Sequence, residues 1–151
     1  MAKKTAKNKV GIWILAIVLY TILAQIIHSI FAMLTMDYYM NPAYAMVWSK
    51  VMMPGFGPPP VSFCVYSIIF GLITALLFVF VFDMVRNSLK GRTKVLTGIH
   101  YGFIVCLLTA IPTLFMLILL INLPFSLLIV WFIEYVIIFV GGGVIVSLLM
   151  K

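Results

Sequence analysis

Residues 37–60 read DYYMNPAYAMVWSKVMMPGFGPPP, the one long break in a chain that is otherwise almost continuously apolar. Three tyrosines, one tryptophan, four methionines and five prolines crowd this segment, which is not the make-up of an idle connector. Asn41-Pro42 reads as an N-cap followed by proline at the first helical position. Tyr44, Val47, Trp48 and Val51 then share one face, which predicts a short amphipathic helix lying on a membrane surface. Pro54 stops it, Gly55 and Gly57 permit a sharp turn, and Pro58 to Pro60 form a stiff lead-in to the next element. Tyr38, Tyr39, Tyr44, Trp48 and Phe56 are the candidate interface residues of this loop. Two readings stay open: a lid over the end of a bundle, or a platform for a partner.

On either side of the loop lie apolar runs far longer than the roughly 20 residues that a spanning helix needs. The chain is 66% hydrophobic and 9% charged, with a mean hydropathy of +1.29, and has too little polar surface to cover a soluble globule. Alternating polarity in roughly ten-residue segments, the mark of barrel strands, is absent. The expectation is an all-α membrane protein: one domain over 1–151, a four-helix transmembrane bundle with spans at 10–36, 61–85, 95–121 and 124–150. The short INLP segment, Ile121 to Pro124, makes the last two spans an antiparallel hairpin.

The net charge of +7 is placed by topology rather than gathered into a nucleic-acid footprint. Lys3, Lys4, Lys7 and Lys9 precede the first span, Arg86, Lys90, Arg92 and Lys94 join the second to the third, and Lys151 ends the chain. Only Lys50 of the ten basic residues falls in the long loop. That asymmetry predicts cytoplasmic termini in the inner membrane, with anionic headgroups as partners of the charges and no nucleic acid. The run from Val10 to Met36 is about twice the length of a signal-peptide core and lacks a cleavage pattern, so it reads as a retained anchor.

Within the spans, Thr21, Gln25, His28, Ala32 and Thr35 recur at spacings of four and three, a stripe that must face protein in lipid. Ser67, Gly71 and Ala75 form a small-residue ridge on the second span, and Gly98 and Gly102 another on the third. Gly141, Gly142 and Gly143 permit close approach on the fourth.

Glu134 is the residue most able to carry chemistry. It lies about 15 Å inside the last span at about 1.5 Å per residue, near the bilayer midplane, where a carboxyl group must be protonated, paired or hydrated. Gln25 and His28 share its depth and are its expected partners. The pair is either a structural hydrogen bond fixing helix register or a site that titrates or binds a cation. His28 and His100 differ in depth by roughly 10–15 Å and cannot share a metal. Cys64 and Cys106 also differ in depth, and no Cys-x-x-Cys occurs. With three acids in the chain, general acid–base catalysis has little to work with. No enzyme activity, cofactor or metal is expected.

The YYxNPxYxxVW segment, the PGFGPPP lead-in and the four spans together resemble a group of small uncharacterised bacterial inner-membrane proteins. The resemblance implies no activity. The four-helix multidrug exporters are similar in size and use one intramembrane glutamate, but theirs belongs to the first helix, whereas Glu134 is in the last. The leading expectation is an oligomeric or accessory subunit of a membrane assembly, joined through the small-residue faces and the loop. The alternative is a small proton-coupled transporter or membrane ligand-binding protein centred on Glu134, with Gln25, His28 and Thr21 around it.

Overall fold

The computed structural model describes residues 2–55, 57–89 and 91–150, with the backbone alone for residues 2–8. Phe56, one of the expected loop-interface residues, lies outside the described residues. Four long helices dominate: α1 (Ala2–Leu34), α3 (Val61–Val85), α4 (Lys94–Leu120) and α5 (Phe125–Met150). A four-residue helix, α2 (Met36–Tyr39), continues α1 into the loop. Each long helix holds a stretch of 25 to 27 residues apolar enough to cross a bilayer, starting in α1 at Lys9. The chain is an all-α, four-helix multi-pass membrane protein, and its span boundaries fall within a residue or two of the apolar runs.

The loop departs from its expected form. Asn41 does cap a helical turn, its Oδ1 accepting from the Ala43 backbone N–H at 2.9 Å, with Pro42 at the first position. That turn is a single 3-10 stretch, Pro42–Tyr44, and the chain then runs through successive turns to Met53. A continuous amphipathic helix would hold Trp48 on a membrane-facing stripe. Instead the indole packs on Tyr39 at 4.9 Å between ring centroids and on Trp131 of α5 at 6.4 Å, so tertiary contact overrides the local periodicity. Gly57 takes φ +147°, a conformation closed to most side chains, where the chain turns into the Pro58–Pro60 run.

Most of the buried residues of α1, α3 and α4 lie away from the 37–60 loop, while α5 is also buried near it at Leu127 and Leu128. Buried residues of α1 are Ala16, Tyr20, Thr21 and Ala24; those of α3 are Ala75, Phe78, Val79 and Phe82. On α4 they run from Thr97 to Ala110, with all but Ala110 in the half nearer Lys94. At the centre of that half Phe78 meets Tyr20 and Tyr101, with centroids 4.6 and 4.7 Å apart. The Tyr101 hydroxyl donates to the Phe78 carbonyl at 2.6 Å, fastening α4 to α3.

Small residues make this packing possible, and they do so inside the chain. Gly98 and Gly102 of α4 lie against the α5 backbone at Phe139–Val144, and Gly143 lies against Gly98 and Gly102 in return. Gly142 faces the Tyr20 ring, Gly141 the Leu23 side chain, and Gly71 the Gln25 amide. Ala75 is fully buried, while Ser67 hydrogen-bonds across to α1. The ridges that the sequence offers for association are thus occupied by intramolecular seams.

Polar contacts finish the end away from the loop. Asp83 accepts from Lys9 at 2.8 Å and from Arg86 at 3.3 Å, and Arg86 also reaches the Met150 carbonyl at the end of α5. Ser147 of α5 donates to the Lys94 carbonyl at 2.6 Å, where α4 begins.

Candidate functional site

A chamber of about 460 Å³ opens between the long helices and the 37–60 loop. A volume of that size suits a small-molecule ligand. Glu134 and His28 line it from α5 and α1. The Glu134 side chain is 8% exposed and forms an ion pair through Oε1 with His28 Nδ1 when the imidazole is protonated. His28 is half open, with 48% of its side chain exposed. The expected Glu134–His28 contact is therefore present.

Gln25 has a different partner. Its Nε2 donates to the Ser67 carbonyl at 3.2 Å and lies 3.3 Å from the Ser67 hydroxyl, which also stands 3.3 Å from Gln25 Oε1. The two side chains pair across the α1–α3 seam, and Gln25 does not serve Glu134. Thr21 is buried, but its hydroxyl donates to the Ile17 carbonyl of its own helix at 2.9 Å. It turns its methyl group towards Gly71 and stands outside the chamber.

The roof is aromatic. Tyr38 shares a 2.8 Å hydrogen bond with Ser126 at the start of α5, and Trp131 Nε1 donates to the Tyr39 hydroxyl at 3.2 Å. Tyr38, Tyr39 and Trp48 therefore tie the loop down onto α5. Tyr44 is half-buried and lines neither cavity described here. Trp48 carries a buried indole N–H that has no partner among the described residues.

A second cavity of about 550 Å³ lies between α1, α3 and α5. It shares His28, Phe63, Ser67 and Tyr135 with the first, and Phe70, Tyr66 and Ile138 make its other walls largely apolar.

Trp131 and Tyr135 of α5 also line this site, and neither is among the candidate residues named from the sequence. The available signal was spacing: Trp131 is one helical turn before Glu134 and Tyr135 adjoins it. Among the described residues no three His, Cys, Asp or Glu side chains group as metal ligands. Compared with family models, curated proteins and solved structures, the chain gives no match, so its function has to be read from its own geometry.

Proposed function

We propose that the chain is a multi-pass protein of the bacterial inner membrane, with both termini in the cytoplasm, that binds a small ligand in the chamber under the 37–60 loop. The orientation is supported by charge: nine of the ten Lys and Arg residues precede the first span, join the second to the third or follow the fourth in the sequence, the pattern expected of segments that stay on the cytoplasmic side against anionic headgroups. The ligand site is supported by one observation, the His28–Glu134 couple lining a chamber that the loop roofs. A buried intramembrane acid is costly to keep and marks a ligand or proton path by default.

The couple can bind and orient a ligand. Glu134 accepts hydrogen bonds or pairs with a positive charge, and His28, partly in the open, stands between it and the chamber. No covalent step is called for, so the activity is non-enzymatic binding, with proton-coupled transport as its natural extension. The reading as an oligomeric or accessory subunit is weaker, because the Gly98/Gly102 and Ser67/Gly71/Ala75 ridges face inward. Association with copies or with other subunits would need another surface.

Native mass spectrometry of the protein released from its own membranes tests the choice. A small molecule bound to wild type and absent from Glu134→Gln is the expected result. A stoichiometric protein partner held equally by both forms, with no small molecule, would sink the ligand reading.

A further inference from the structure

We propose that the chamber takes a monovalent organic cation with an apolar tail, an alkylated amine or quaternary ammonium. Its head sits among Glu134, Tyr39, Trp48 and Trp131, and its tail lies in the second cavity between α1 and α3. This assignment rests on the ligand-site reading above and gives that site its ligand class.

Charge comes first. Among the described residues the ionisable groups lining the chamber are His28 from α1, Tyr39 from α2, and Glu134 and Tyr135 from α5, with no lysine or arginine and none from α3 or α4. One carboxylate without a fixed cation favours a single positive charge. Glu134 is held by burial, whereas His28 is half exposed and so is the partner that a ligand can displace. An incoming cation takes the place of the imidazole at Glu134.

The aromatic residues supply the second argument. Tyr39 and Trp48 stand 4.9 Å apart and Trp48 and Trp131 6.4 Å apart, tilted to each other so that their faces and edges bound one corner of the chamber. Rings so placed attract a cation lying within about 6 Å of their centroids, and tryptophan does so best. A quaternary ammonium needs no hydrogen-bond acceptor for each N–H, which suits a wall of ring faces. The unpartnered Trp48 N–H accommodates an oxygen carried near the cation.

The tail follows from the adjoining cavity. His28, Phe63, Ser67 and Tyr135 border both spaces, so an apolar chain on a head group at Glu134 has the space beside Phe70 and Ile138 next to it, behind these shared side chains. An anion would face Glu134, and a neutral amphiphile would leave the carboxylate and the ring faces unused.

The test uses the full-length protein in nanodiscs of zwitterionic lipid, with octyltrimethylammonium, octanol and octyl sulfate as probes. Each is titrated by calorimetry against empty discs. The cation is expected to bind saturably and about tenfold or more tighter than octanol, with octyl sulfate no better than in empty discs. Glu134→Gln should bring the cation down to the octanol level. Should that variant not fold, Trp131→Leu should weaken the cation several-fold more than it weakens octanol, since only the cation draws on the ring; equal losses for the two would overturn the ligand class. Octanol or octyl sulfate binding as well as the cation would overturn the ligand class yet leave the chamber a ligand site. No saturable binding of any of the three would overturn both.

Discussion

Gly98 of α4 and Gly143 of α5 meet backbone to backbone: a Cβ on Gly98 would lie 2.5 Å from the Gly143 carbonyl oxygen. No side-chain rotation relieves that contact, because the obstructing atom is main chain. Gly98→Ala should force the two helices apart and cost about 1–3 kcal/mol. Gly71 is a different case, since a Cβ there would lie 3.1 Å from the Gln25 amide nitrogen, the end of a flexible side chain. Gly71→Ala should stay within about 0.5 kcal/mol. Melting temperatures in one detergent compare the two; equal losses would mean that the α4–α5 seam yields as readily as a side chain.

Tyr101 carries a second test of the end away from the loop. Its hydroxyl is buried and bonded to the Phe78 carbonyl at 2.6 Å, while its ring packs on Phe78 and Phe82. Tyr101→Phe keeps the ring packing and deletes one hydrogen bond, so stability should fall by about 0.5–1.5 kcal/mol. A variant that melts like wild type would show that the bond contributes nothing between α3 and α4.

Much of this half was legible beforehand, because apolar run length and small-residue spacing are one-dimensional signals. Val61–Val85 coincides with the second apolar run, and Gly98/Gly102 occupy a seam as their spacing requires. What the sequence did not fix was rotation about the helix axes. Depth matched Gln25 and His28 equally well to Glu134, yet only His28 faces it, and Gln25 turns to Ser67. Nor could a local pattern foresee that Trp48 would turn inward to Tyr39 and Trp131, breaking the helix that its own neighbours favoured.

The roof should loosen when its anchor is removed. Trp131 holds the loop by an N–H to the Tyr39 hydroxyl at 3.2 Å and by its edge contact with Trp48. Trp131→Phe removes the hydrogen bond, worth about 1 kcal/mol, and trims the ring contact. Amide exchange across residues 41–53 should accelerate roughly five-fold, with α5 itself unchanged. Unchanged exchange in the loop would mean that Tyr38–Ser126 and the turn hydrogen bonds hold the roof without Trp131.

Orientation can be tested at two exposed positions in a Cys64→Ala, Cys106→Ala background. Gly55 has open space around it and Ser88 is exposed beside Arg86 at the opposite end. In intact cells a membrane-impermeant thiol reagent should label Gly55→Cys and spare Ser88→Cys until the membrane is broken. The reverse pattern would invert the topology and turn the chamber towards the cytoplasm.

The His28–Glu134 couple gives the most discriminating stability test. Glu134 is buried and His28 half open, so the two single changes are unequal. Glu134→Gln keeps the size and an acceptor oxygen for the imidazole, and should cost under about 1 kcal/mol. His28→Ala leaves a buried carboxylate alone. Breaking a fully buried pair costs about 3–5 kcal/mol, and the exposure of His28, which lets water approach, reduces the expected loss to about 1–3 kcal/mol. With no charge left to strand, the double variant His28→Ala/Glu134→Gln should then be more stable than His28→Ala alone. Denaturant titrations of the four proteins in one detergent form the cycle. If the double variant is no more stable than His28→Ala, the carboxylate was never relying on the imidazole, and the couple is a proximity without an energetic link.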